Sequence, residues 1–210
     1  MTMQTDVKLD YVGNTLPPSL DYIAASQTPP PIGEPFILTN TEFSDGTSRH
    51  ITYTTSAAQA VDVILGLTFI NENGVELTRY FSLPALPSTA VVTTQYCERF
   101  VKAFVYSGTP TTDVSIGMID DSIVKNIGKG GPIRLRGYSI CSSSIPGEIL
   151  FFSKNPNPTP FTVGTLSFKA QTAQNISLDY PIPGDGIPYK NGLYVLYNPI
   201  NSQAMNVFYD

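Results

Sequence analysis

An all-β chain is predicted, with two tandem antiparallel β-sandwich modules of jelly-roll-like form behind an extended Pro-rich N-terminal arm, and three observations predict it. Charged residues are only 14% of the 210, while 18 Pro and 16 Gly interrupt the chain throughout, a composition that favours many short strands over long helices. Six short apolar runs between Arg49 and Asp120 recur in the same order, almost without identity, between Ile133 and Asp210. The fifth run of each series, Phe100 to Tyr106 and Gly192 to Tyr197, is apolar on both faces. The expected layout is an arm over residues 1–46, a first module over 47–121, a Gly-rich linker over 122–132 and a second module over 133–210.

In the arm, Pro17-Pro18, Pro29-Pro30-Pro31 and Pro35 exclude helix from most of the segment. Its large apolar groups, among them Tyr11, Leu20, Tyr22, Ile23, Ile32, Phe36 and Ile37, are too many for a solvated tail. Two placements stay open: a cap over its own domain, or an arm that grips a neighbouring subunit. In the first module, Val61, Val63, Leu65, Leu67 and Phe69 alternate with Asp62, Ile64, Gly66, Thr68 and Ile70, the period of a strand with one face in a core. Asn71-Glu72-Asn73-Gly74 then supplies a turn, and Leu77 to Leu83 returns as the second strand of a hairpin. Thr89 to Thr94 follows, then Phe100 to Tyr106, expected to be central in its sheet, then Val114, Ile116 and Met118. Asp120 to Lys125 is the best candidate for a short helix.

The second module runs through Arg134 to Cys141, Ile149 to Ser153, Thr162 to Lys169, Gln174 to Tyr180, Gly192 to Tyr197 and Met205 to Tyr209. Turn-formers separate these runs, including Ser142-Ser143-Ser144, Asn155-Pro156-Asn157-Pro158 and Pro183-Gly184-Asp185-Gly186. Six strands in about 75 residues with a doubly apolar fifth strand fit a two-sheet sandwich; one larger sandwich drawing strands from both halves is the alternative.

Charge narrows the partners. With 12 Lys plus Arg against 17 Asp plus Glu the chain carries −5, and it has no basic stripe of the kind phosphate backbones require, so no nucleic acid is expected. The cations near Lys125, Lys129, Arg134 and Arg136 read as a solvated linker. The chain starts without a signal-peptide pattern and lacks the run of about 20 apolar residues of a membrane helix, so no membrane partner is expected. Cys97 and Cys141 fall one in each module and read as reduced thiols rather than a disulfide framework.

No catalytic, cofactor or metal residue is expected. His50 is the single histidine and has no Ser or Cys at a recognisable spacing. One His and two Cys leave a four-ligand zinc site incomplete. Asp120-Asp121, with Asp113 and Glu98, lacks the alternating oxygens of a calcium loop. Gly128-Lys129-Gly130-Gly131 lacks the leading Gly and trailing Ser or Thr of a phosphate loop and reads as a hinge. Asn175-Ile176-Ser177 fits a glycosylation acceptor by letters only. Most aromatics, such as Phe69, Phe81 and Phe168, sit at core-facing spacing, and Trp is absent, which weighs against sugar stacking.

The stretch from Ile149-Leu-Phe-Phe through Thr165-Leu-Ser-Phe, Asn175-Ile-Ser-Leu-Asp-Tyr-Pro181 and Gly186-Ile-Pro-Tyr-Lys-Asn-Gly-Leu-Tyr-Val195 resembles small β-sandwich modules of tailed-bacteriophage virion proteins. The resemblance implies a virion accessory protein, a capsid decoration or cement protein or a head or tail appendage, made in a bacterial cytoplasm and carried on the particle. Its partners would be the major capsid protein or other virion proteins, with homo-oligomers expected. A non-enzymatic structural role follows, and a receptor- or carbohydrate-binding sandwich is the alternative.

Overall fold

The alternating and doubly apolar runs form strands in the computed structural model, which describes residues 7–13, 19–43, 47–59, 62–83, 90–129, 131–142, 147–153, 166–172, 177–197 and 202–210. Among them every regular element is a strand. By their contacts the residues fall into two units, a central one over 16–120 and a terminal one over 1–15 and 121–210.

The central unit holds β2 (Ser19–Gln27), β3 (Ser48–Thr55), β4 (Ile64–Ile70), β5 (Glu76–Ser82), β6 (Val91–Cys97), β7 (Arg99–Ser107) and the first half of β8 (Val114–Ile127). One sheet runs β5-β4-β7; in the other, β3 lies between β6 and β8, and β2 pairs with β8. Strict alternation aims Leu65, Leu67 and Phe69 of β4 inward, where all three are fully buried. They meet Ile51 and Tyr53 of β3, Val114, Ile116 and Met118 of β8, and Phe100, Ala103 and Val105 of β7 in one core. Burial of each large apolar side chain stabilises the fold by about 1.5–3 kcal/mol. The β4–β5 hairpin closes as the turn residues demand: Asn71 Oδ1 accepts the N–H groups of Asn73 and Val75, both at 3.0 Å, and Gly74 takes φ 75°.

The terminal unit holds β1 (Lys8–Gly13), the second half of β8, β9 (Ile133–Ser142), β10 (Gly147–Phe152), β11 (Leu166–Thr172), β12 (Ser177–Pro181), β13 (Ile187–Tyr189), β14 (Leu193–Tyr197) and β15 (Ser202–Tyr209). One sheet runs β1-β15-β9-β12 with β13 also on β9; in the other, β10 lies between β11 and β14. Its core gathers Leu135 and Ile140 of β9, Ile149 and Phe151 of β10, Leu193 and Val195 of β14, and Met205 and Val207 of β15.

The two units repeat one strand order. The sheet β5-β4-β7 corresponds to β11-β10-β14, and β8-β3-β6 to β15-β9-β12. Even the added strand recurs, β2 on β8 in one unit and β1 on β15 in the other. The molecule is therefore an all-β, sandwich-like protein with antiparallel sheets, as its spacing of apolar runs predicts.

Several boundaries differ from the expected ones. Residues 122–132 are not a linker throughout: β8 continues to Ile127, and Gly128 and Lys129 then lie in a turn, with a Gly131 N–H to Gly128 carbonyl bond of 3.0 Å. The side chains of Val124 and Ile127 are fully buried, so the segment gains core contacts that a solvated linker would forgo. The same continuity makes Asp120 to Lys125 strand rather than helix.

Residues 19–43 are extended but lie on their own unit. Ile23, Ala24, Phe36 and Phe43 enter the central core. Gly33 and Phe36 donate backbone N–H groups to Val105 and Ala103, both at 2.9 Å, and Phe100 donates to Thr41 at 2.7 Å, so this segment covers the β7 edge. β7 is accordingly the outer strand of its three-stranded sheet and not a central one. Its outward apolar groups serve a surface cluster instead, and β4 is the buried middle strand. β14, by contrast, lies between β10 and the second half of β8, and Leu193 to Leu196 are all buried.

Candidate functional site

A strand glycine marks the most distinctive surface. Gly66 of β4 faces outward, and a methyl group there would collide with the ring of Phe104, so the missing side chain lets that ring lie flat on the strand. In register, Gly66 stands beside Tyr80 of β5 and Phe104 of β7. Across it the rings of Tyr80 and Tyr106 meet with centroids 4.5 Å apart at 51°, yet the two residues stay 54% and 52% exposed. Lys102 Nζ lies 5.2 Å from the Phe104 ring centroid, a cation over an aromatic face. One row along, the hydroxyls of Thr68 and Thr78 bond at 2.9 Å. Rings, hydroxyls and a cation on one sheet face can hold an apolar or sugar-like surface and orient it.

A second cluster is buried. Arg49 of β3 stands opposite Cys97 of β6, both fully buried, with the Arg49 guanidinium 5.9 Å from the Phe43 ring centroid and Glu72 also buried. Burial pushes the Cys97 thiol well above the ordinary thiol range, and the charges of Glu98 and Glu72 push it the same way. A thiol so held stays protonated, which makes it an inert core group rather than a nucleophile. His50 pairs with Tyr96 in the next register position and stacks on it at 4.3 Å. Successive strand residues face opposite ways, so His50 and Cys97 lie on opposite faces of β3–β6 and form no dyad.

A third feature is an open depression of about 410 Å³ lined by Pro132, Ile133, Arg134, Pro188, Tyr189, Lys190 and Asp210. The cations expected to be solvated partly serve structure here. Arg136 donates to Asp210 Oδ2 at 2.6 and 3.1 Å and to the Gly184 carbonyl at 3.3 Å, and Arg134 donates to the Asp185 carbonyl at 3.2 Å. These bonds pin the Pro183–Gly186 turn and the end of β15 against β9. Lys125 lies on β8 opposite Val195, and Lys129 takes φ 43° in the turn after it.

The remaining sequence candidates do not converge. Asp113 accepts from Thr28 Oγ1 at 2.9 Å and, through its carbonyl, from the Ser56 N–H at 3.0 Å, a local tie between loops. Asp120 and Asp121 lie within β8, and Glu98 donates its N–H to Ile70. Among the described residues no three His, Cys, Asp or Glu side chains gather in metal-binding geometry. Cys141 is exposed and Cys97 buried, and both are thiols. Asn175 and Ile176 lie outside the described residues, as does the side chain of Phe168. Sequence reasoning missed the Tyr80, Phe104 and Tyr106 cluster; its one signal was a glycine inside the most regular strand.

No protein-family model, no curated protein and no solved structure matches the chain.

Proposed function

We propose that the chain is a non-enzymatic structural protein of a tailed-bacteriophage particle, a capsid decoration or cement protein that stabilises contacts between capsid subunits. The observation that carries this reading is where the apolar surface lies. Among the described residues twelve large apolar side chains are more than a third exposed, and five of them, Val7, Leu9, Leu20, Ile32 and Ile37, fall within the first 37 residues. Of these, Leu20, Ile32 and Ile37 belong to residues 19–43, which are tied to their own unit by backbone bonds and by Ile23, Phe36 and Phe43, so these three apolar groups are presented outward on that support. Ordered apolar surface of that kind suits an interface, where about 1,200–2,000 Å² is buried in stable complexes.

The test uses a double variant, Ile32→Ser with Ile37→Ser, at two exposed positions where folding is expected to be unchanged. Purified wild-type protein should co-sediment with capsids that lack it, and the variant should bind at least tenfold more weakly at the same melting temperature. Equal binding by both sinks the proposal. A second reading, a carbohydrate- or receptor-binding sandwich, is favoured by the half-exposed Tyr80 and Tyr106 rings beside Lys102. Glycan-array signal from wild-type protein that is lost in Tyr80→Ala would decide for it.

A further inference from the structure

The outer face of β5-β4-β7 is shaped by two backbone features that weaken a sheet. β4 carries Gly66, which has no side chain to pack and yields its space to the Phe104 ring. β7 carries an extra residue: Ile64 pairs with Ser107 and Leu65 with Val105, so Tyr106 between them is a bulge residue, turned to the surface against Tyr80. The corresponding strands of the terminal unit are built differently. There Ile149 to Phe152 pair with Tyr197 to Tyr194 without a shift, and the exposed Glu148 and Lys169 close on each other at 2.9 Å. The shared topology therefore stands without the bulge or the exposed rings, and in the central unit glycine, bulge and rings serve one surface. Its polar groups are uncommitted. The phenol hydroxyls of Tyr80 and Tyr106 have no hydrogen-bond partner among the described residues, and Lys102, whose Nζ lies 5.2 Å from the Phe104 centroid, forms no ion pair among them.

We infer that this face binds an acidic saccharide: a sugar ring stacks on Tyr106 and Tyr80, their hydroxyls bond those of the sugar, and Lys102 takes its carboxylate or sulfate. The inference rests on the carbohydrate-binding reading above and adds the charge of the ligand. Size favours a saccharide over a protein partner. Two half-exposed rings offer about 200 Å² of aromatic surface, enough for one or two sugar rings, whereas a stable protein interface buries about 800 Å² on each side. Charge favours an acid. In register, the rows Tyr80-Gly66-Phe104 and Thr78-Thr68-Lys102 contain one formal charge, the Lys102 ammonium, and no carboxylate. A carboxylate or sulfate set beside the rings therefore meets attraction where a cationic ligand meets repulsion. A single cation on a chain of net charge −5 is too few for a phosphate backbone, which sets nucleic acid aside.

An array of uronate-containing, sialylated and sulfated oligosaccharides beside their neutral counterparts tests ring and charge separately. Wild-type full-length chain should retain acidic glycans about tenfold more strongly than the neutral ones. Lys102→Gln should narrow that ratio to under about twofold, because only the charge is lost. Tyr106→Ala should abolish retention of both kinds at an unchanged melting temperature, and Tyr106→Phe, which keeps the ring, should still bind. Equal retention of acidic and neutral glycans, or an acidic preference that survives Lys102→Gln, overturns the inference and leaves the carbohydrate-binding reading standing. No retention of any glycan, or retention that survives Tyr106→Ala, removes both. Neither result bears on capsid binding, which the Ile32→Ser and Ile37→Ser variant reads separately.

Discussion

The central and terminal units carry out one topology with different kinds of adhesion. In the central unit the added strand β2 arrives just ahead of the module in sequence and buries Ile23 and Ala24, while the segment after it lays Phe36 and Phe43 into the same core. In the terminal unit the equivalent strand comes from the far end of the chain and is held by a regular main-chain ladder with Val7 and Leu9 facing out. A shared strand order therefore does not imply a shared arrangement of side chains: β2 buries Ile23 and Ala24 in its own unit, whereas Val7 and Leu9 at the start of β1 face solvent.

The comparison breaks most visibly in the cores. Phe69→Ala in β4 and Phe151→Ala in β10, at two fully buried rings on corresponding strands, should each cost about 3–5 kcal/mol in denaturant unfolding. A loss under about 1 kcal/mol at either would show that the corresponding strands are not equivalent in packing. The added strands should differ next. Ile23→Ala is expected to cost about 2–5 kcal/mol, whereas Leu9→Ala should stay within about 0.5 kcal/mol. Similar losses at both positions would erase the distinction between the anchored and the paired strand.

Titration sharpens the contrast further. Burial raises the Tyr53 phenol in the central unit to about 12, and also raises Tyr138 and Tyr189 in the terminal unit. The folded state therefore keeps protons that the unfolded state releases above pH 10. The contribution of Tyr53 is complete below that pH and is lost as pH climbs from about 10 to about 12. Melting temperatures taken across that window should fall, and Tyr53→Phe should flatten part of the slope. The smallest effect is on reactivity: with a chromogenic disulfide reagent at pH 8, Cys141 should react within minutes and Cys97 only after denaturant is added. Rapid release of two thiols from native protein would contradict the burial of Cys97.

What could be read beforehand was local. The alternation from Val63 to Phe69 named β4, and Asn71 to Gly74 named its turn because only certain side chains satisfy that backbone. Gly192 to Tyr197 was legible as a strand buried on both faces, and it is flanked on both sides. The missed features depend on partners remote in sequence. Nothing near Lys8 to Gly13 indicates Ala204 to Tyr209, and nothing near Phe100 to Tyr106 indicates that residues 33–43 would cover its edge. Asp120 to Lys125 looked like a short helix by residue type, yet β8 runs straight through it. The aromatic cluster on Gly66 escaped because its rings belong to three strands and its key residue is one without a side chain.

Because Lys8 and Tyr209 lie side by side across one ladder, a short peptide bridge from Asp210 to Val7 would close the described chain into a ring with little distortion. The ring could then be reopened at the exposed Asn73-Gly74 tip, giving a circular permutant in which β1 and β15 are joined covalently.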